Sequence, residues 1–430
     1  MAQLIKQAYL VSASADVAAD GTGDVLIEDG RISAIAPFIS EVPPETEVID
    51  GRGQFLGPGL IDLYSQSGEP GNETRETLTS LRQAATAGGF TRVGLLPNTQ
   101  PVADTVEAIA AIHQSNLKSS VAKTRLLPWA AITLGADGEQ LTELAERLDA
   151  YALGFTDGLP MINQTILRRL LEYAQPLQKP IALYPCDPQL AGSGVAREGA
   201  DALRLGLGGV SAIAETTALA TLLECIAEFP ALVHVMRVST ARSVELIRQA
   251  KSRDLPISAS VAWHHLLFDT QDLAQYSPNL RHEPPLGTPA DRQALIAGVQ
   301  EGVIDAIAID HSPYTYEEKT VAFHAAPPGA SGLELALPIL WQTFVANSDT
   351  AGNRWSPMQL WQSLSEGPAQ CLGLDAGELA VGAPAELTLF DPRLSWEITP
   401  QTLKSLSENT PWLGKTIQGK VSRTWNSFLE

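Results

Sequence analysis

The chain has 430 residues, 44% of them hydrophobic and 18% charged. That balance belongs to a globular protein rather than a disordered one, and no apolar run approaches the roughly 20 residues of a membrane helix. A formal net charge of -20 suits solubility and argues against a nucleic-acid groove or an anionic membrane surface as partner. Cys186, Cys225 and Cys371 are scattered and odd in number, so they form neither a zinc pattern nor a disulfide framework. A reducing cytosol is the expected setting, and without a sustained apolar stretch at the start no signal peptide is expected.

In chain order, residues 24–28 and 31–36 read as a hairpin around Asp29-Gly30. Residues 57–101 then read as strand, loop, helix and strand: an apolar strand at 59–64, a helical pattern at 76–87 closed by Gly88-Gly89, and a strand at 91–96. Further strand-like stretches lie at 125–134, 152–156, 180–184, 231–238, 256–261 and 306–310, with amphipathic helical stretches such as 165–174, 215–228, 243–251 and 290–301 between them. Eight strands alternating with helices predict an α/β fold, a (β/α)8 TIM-like barrel. An open doubly wound sheet is the alternative, though no Gly-x-Gly-x-x-Gly follows a strand. The strand-like ends 377–390 and 420–425 need partners that the N-terminal hairpin also lacks. The expected organisation is therefore a small β-sandwich domain formed by both termini, residues 1–56 and 376–430, around a barrel at 57–375.

The first barrel unit resembles the dihydroorotases, within the metal-dependent amidohydrolases. The chain keeps Pro58-Gly59-Leu60-Ile61-Asp62 and Glu69-Pro70-Gly71. The family ends that strand in His-x-His and follows it with an arginine; here Tyr64 and Gln66 stand at the histidine positions and Gly68 at the arginine's. The resemblance runs nearly end to end. It implies Asp157 at the acidic ligand of strand four, Tyr184 and Arg237 where strands five and six carry histidines, and Asp310 at the aspartate of strand eight, which is also the family's base position. Asn98 and His311 match substrate-holding positions, while Glu283 stands for an asparagine before Pro284-Pro285-Leu286. Of six ligand positions, the two carboxylates remain and the four imidazoles do not.

Those replacements have a chemical meaning of their own. Catalytic zinc takes three ligands from His, Cys, Asp or Glu plus an open position. Tyrosine and glutamine are poor substitutes, and a guanidinium has no lone pair to give. No metal is therefore expected, and Asp310 would be idle as a base. Two inward carboxylates would repel without a cation, so Arg237 is expected to pair with Asp157, Asp310 or both; a solvated Arg237 without a partner is the alternative. A rescued mononuclear zinc site would need Cys186 with Asp157 and Asp310. Strand alternation from Arg237 turns His234 toward the helices as a packed core histidine. His264-His265 resembles a family signature but receives no ligand role, and His282 lies outside the ligand pattern. Ser239-Thr240 reads as a helix N-cap.

Three readings follow. The first is a dihydroorotase homologue of pyrimidine biosynthesis that has lost catalysis and keeps a structural or regulatory role. The resemblance implies aspartate carbamoyltransferase as partner, in a hetero-complex or homo-oligomer. The second is an active cyclic-amide hydrolase with an unusual metal site. The third is a small-molecule binding protein using the barrel mouth.

Overall fold

The computed structural model describes residues 2–12, 21–118, 124–149, 151–160, 163–347 and 354–427. Both ends of the chain build one sheet. Its strands are β1 (Gln3–Leu10), β2 (Thr22–Glu28), β3 (Arg31–Ala36), β4 (Glu47–Asp50) and β5 (Phe55–Pro58) from the N-terminal side. The other end of the chain adds Leu387–Glu397 and Thr416–Trp425. The two late strands pair with each other and dock on β5, which joins them to β1, β2 and β3, while β4 pairs with β1. Ile5, Val25, Ile27, Leu56, Leu387 and Trp425 form its core. Among the described residues all seven strands belong to one hydrogen-bonded sheet.

Between the halves of this sheet run strands alternating with helices. They are β6 (Leu60–Ser65), β7 (Phe90–Leu95), β8 (Arg125–Pro128), β9 (Ile181–Leu183), a small ribbon β10 (Ala196–Arg197) and β11 (Gly209–Val210), β12 (Val233–Val235), β13 (Ile257–Ala262) and β14 (Ala306–Ala308). The late strands of the terminal sheet are then β15 (Leu387–Glu397) and β16 (Thr416–Trp425). The helices form where the periodicity places them, at Leu78–Ala87, Gln164–Ala174, Ile213–Glu228, Ala241–Ser252 and Pro289–Gln300. Thr77 opens the first with a reciprocal capping box to Ser80. Thr240 caps another by accepting from the Ser243 amide at 3.1 Å.

The parallel strands fall into two arcs, β6-β7-β8 and β9-β12-β13-β14. The expected fourth strand at 152–156 reduces to Phe155, which bridges Ala130 on one side and Ile181 on the other. Gly154 fits there because a Cβ would stand 2.3 Å from the Pro180 carbonyl oxygen and 2.8 Å from the Trp129 ring. At the opposite seam the Asp62 carboxylate accepts the Ile309 amide at 2.7 Å, and the Gln66 amide donates to the His311 carbonyl at 2.8 Å. Among the described residues the backbone thus forms two stitched arcs, and no single closed ladder of the kind expected of eight strands is found. They enclose one interior, since Ile61, Leu63, Trp129, Ala182, Met236 and Ala306 pack in a single cluster. Among the described residues no helix is long and apolar enough to cross a membrane.

Candidate functional site

A cavity of about 240 Å³ opens at the carboxyl ends of the strands. Gln66, Asn98, Tyr184, Arg237 and Asp310 all line it, as do His264, His265, His282 and Glu283. In parallel α/β folds this end of the strands is where ligands bind.

Arg237 and Asp310 occupy its floor as a two-bond ion pair. Nε donates to Oδ2 and Nη2 to Oδ1, both at 2.8 Å. Nη1 donates to the Gly158 carbonyl at 3.0 Å. The guanidinium also lies over the rings of Tyr184, at 5.5 Å, and Tyr64, at 5.7 Å. Burial works against the Arg237 charge, but the Asp310 carboxylate outweighs it and holds the guanidinium above its ordinary value. Gly158 permits this approach, with φ at +65° and Asn98 Oδ1 only 2.5 Å from where a Cβ would stand.

Asp157 does not join the pair. Its Oδ1 accepts the amides of Ile132, at 2.8 Å, and Thr133, at 3.0 Å, and its Oδ2 accepts the Thr133 hydroxyl at 2.8 Å. Burial raises its carboxyl above the usual range, and these bonds oppose the rise. The Asp157 carbonyl accepts from Asn98 Nδ2 at 2.8 Å, so Asn98 lines the cavity with its amide nitrogen already engaged. His311 presents no open ring nitrogen. Its Nδ1 accepts the Gly332 amide at 3.1 Å and its Nε2 stands 3.4 Å from the buried Glu76 carboxylate.

Tyr64 reaches Ser260 at 2.9 Å and accepts the Arg237 amide at 3.2 Å, so its hydroxyl is enclosed. Burial, first of all, pushes that phenol up. His234 is packed, as expected, but it faces the interior rather than the helices. Its ring nitrogens meet the hydroxyls of Ser258, at 2.9 Å, and Ser260, at 2.8 Å, and its ring lies 6.4 Å from that of Tyr64. The alternation rule fails because β12 ends at Val235 and Arg237 takes a left-handed φ of 55°, which re-aims its side chain. Cys186 does not join Asp157 and Asp310 in the ligand set that a rescued zinc site would need. It lines a separate cavity beside Asp187 and Thr217, and burial pushes its thiol up to about 11. The cause is local: Asp187 caps the turn Pro188–Ala191 and carries the chain away from the mouth.

Two members of the site carried no role in the sequence reading. Ser260 links Tyr64 to His234, and only its place two residues before Ala262 on an inward-facing register could have marked it. His282 joins His264, with ring centroids 4.4 Å apart. Its signal was adjacency to Glu283-Pro284-Pro285.

The residues do not fit the family's metal pair. Tyr64 and Arg237 hold no accessible lone pair there, Asp310 spends both oxygens on the guanidinium, and Asp157 spends both on Ile132 and Thr133. Among the described residues no three His, Cys, Asp or Glu side chains are grouped to share an ion.

The mouth and its scaffold are similar to those of the amidohydrolases. A profile described as the amidohydrolase family matches residues 212–425, and the fold is shared with the L-hydantoinase of Arthrobacter aurescens at a TM-score of 0.83. That likeness spans 99% of this chain and 95% of the hydantoinase at 22% identity. Within that class the chain belongs to the dihydroorotase-like family. The dihydro-orotase-like profile matches residues 53–240. A probable dihydroorotase-like protein of Synechocystis sp. is 42% identical, over 94% of this chain and 95% of its own. A protein named dihydroorotase from Pelotomaculum thermopropionicum is 38% identical, over 92% and 91%.

Proposed function

We propose that this chain is a dihydroorotase homologue that has given up metal-dependent hydrolysis and serves pyrimidine biosynthesis in a structural or regulatory role. The observation that carries the reading is the Arg237–Asp310 pair, which sets a fixed cation and its counter-ion where a hydrolytic metal would need donors. Without a metal to make hydroxide from water at neutral pH, the site retains no group able to attack an amide. Both oxygens of Asp310 are engaged by Arg237. In this reading the mouth sits where the two stitched arcs of strands converge, and the chain works in the cytoplasm. Its partner is aspartate carbamoyltransferase, in a hetero-complex or with further copies of this chain.

The second reading, an active cyclic-amide hydrolase with an unusual metal site, draws on relatives at 36–38% identity that are named dihydroorotase. Dihydroorotate turnover with added zinc separates the two. No turnover is expected, together with co-elution with a carbamoyltransferase; zinc-dependent turnover defeats the proposal.

A further inference from the structure

We propose that the outer face of the helix Ile213–Glu228, with the groove beside it, is where a second copy of this chain docks, the two helices antiparallel about a two-fold axis near Ala220. The reading above allows further copies; this names the face they use, and it does not depend on the state of the mouth.

The inner side of this helix is core, through Leu219, Leu222, Leu223 and Ile226. A helix packed on one side ordinarily shows charge on the other. Here the outer positions are Ile213, Thr217, Ala220 and Thr221, at the spacing of one helix stripe. Ile213 is 52% exposed. The Thr217 hydroxyl donates to the Ile213 carbonyl at 2.6 Å, and the Thr221 hydroxyl to the Thr217 carbonyl at 3.0 Å. Both threonines spend their donor on their own helix, which leaves methyl groups as the free part of the stripe. Glu215 adds no charge outside, since it is buried and accepts the amides and hydroxyls of Ser239 and Thr240. Beside the stripe lies a groove of about 350 Å³, with Leu167, Leu190, Ala218 and Thr221 among its walls. Leu190 is 43% exposed. No described lysine or arginine lines the groove, and its one carboxylate, Asp187, accepts the Gln189 and Leu190 amides. A single helix face is smaller than the roughly 800 Å² per partner of a stable interface; the groove and Leu190 extend it.

Charge decides the occupant. The chain carries 49 acidic and 29 basic residues, so two copies repel wherever acidic surface meets its own image. A two-fold contact brings one patch against itself, and residues 216–223 hold no ionisable group. With the axis near Ala220, Ile213 of one copy meets Ala227 of the other. Glu228, exposed at the carboxyl end, then meets the amino end of the other helix, which no side chain caps. That end carries the positive pole of the helix dipole. The remaining acid of the stripe, Glu224, already stands 3.5 Å from Arg253. The face is thus complementary to itself in shape class and in charge, where most of this surface is not.

Sedimentation equilibrium of the full chain tests this. The parent should sediment as a dimer, twice 45.9 kDa, at micromolar concentration. Ala220→Glu sets like charges across the axis and should raise the dimer dissociation constant at least about tenfold. An equimolar mixture with Ala220→Lys should bring the dimer back, which a misfolded variant would not do. Thr217→Glu, at an exposed position, gives a second variant should Ala220→Glu not fold, and should weaken the dimer likewise. A monomeric parent overturns the proposal, as does a dimer that either acidic variant, once folded, leaves intact, or a mixture that stays monomeric. A monomeric parent whose co-elution with a carbamoyltransferase is lost in Ala220→Glu would give the face to that partner and overturn the proposal too. None of these outcomes touches the loss-of-catalysis reading, which stands or falls on turnover.

Discussion

Arg237 and Asp310 meet through two N–H···O bonds of 2.8 Å, and each reaches the other from left-handed backbone, with φ of 55° and 50°. Non-glycine residues held there cost about 1–3 kcal/mol each. The pair and its surroundings must offset that strain. Their side chains are 8% and 14% exposed, so solvent screens the interaction weakly.

Breaking the pair from one side should therefore be costly. Arg237→Ala leaves Asp310 buried and uncompensated, and should destabilise the fold by about 3–5 kcal/mol. The double change Arg237→Met with Asp310→Leu should cost much less, because neither charge remains to be desolvated. Urea denaturation of the two variants checks this. A single variant within about 1 kcal/mol of the parent would mean the pair behaves as a solvated surface bridge.

Stability should fall with acid. Burial holds His234 at about 3 and His265 at about 4, and it depresses His264 and His282 too. Unfolded, these rings take protons near pH 6.5; folded, they resist until far lower. Their contribution is present above about pH 6.5 and is lost as the pH falls toward about 4. Asp62 and Glu334 oppose this, since burial raises both to about 7. Their contribution is present in acid and is lost as the pH rises through 7. Asp157, which burial also raises, sides with them; four imidazoles outweigh these three carboxyls, so the urea midpoint should drop between about pH 7.5 and about pH 5. A flat or rising midpoint would show that the histidines are not buried neutral.

Restoring the missing arginine should not restore a carboxylate site. At Gly68 a side chain would press on the backbone of Asn72 and Glu76, at 2.1 and 2.6 Å. Gly68→Arg should destabilise by about 1–3 kcal/mol through overpacking and gain no affinity for dihydroorotate. Thermal denaturation and titration of that variant read both effects.

The frame of the site was legible because strand ends converge: Tyr64, Gln66, Tyr184, Arg237 and Asp310 lie far apart in the chain yet stand at or beneath one mouth. The partner of Arg237 was not legible. Choosing Asp310 over Asp157 depends on the amides of Ile132 and Thr133, which leave no pattern in the chain. His234 was assigned to the wrong face because alternation was carried past a three-residue strand into left-handed backbone. The connection between β15 and β16 gave no signal at all. It reaches the mouth, where Trp412 stacks on Trp263 at 4.9 Å and Asn409 donates to the Ser312 carbonyl at 2.9 Å. Long aperiodic loops reveal such contacts only in three dimensions.

Metal stoichiometry tests the central claim most directly. The purified chain, equilibrated with zinc and freed of excess, should retain far less than one ion per chain, because Arg237 holds the position and its counter-ion. A full equivalent of zinc, lost together with dihydroorotate turnover on chelation, would contradict the account.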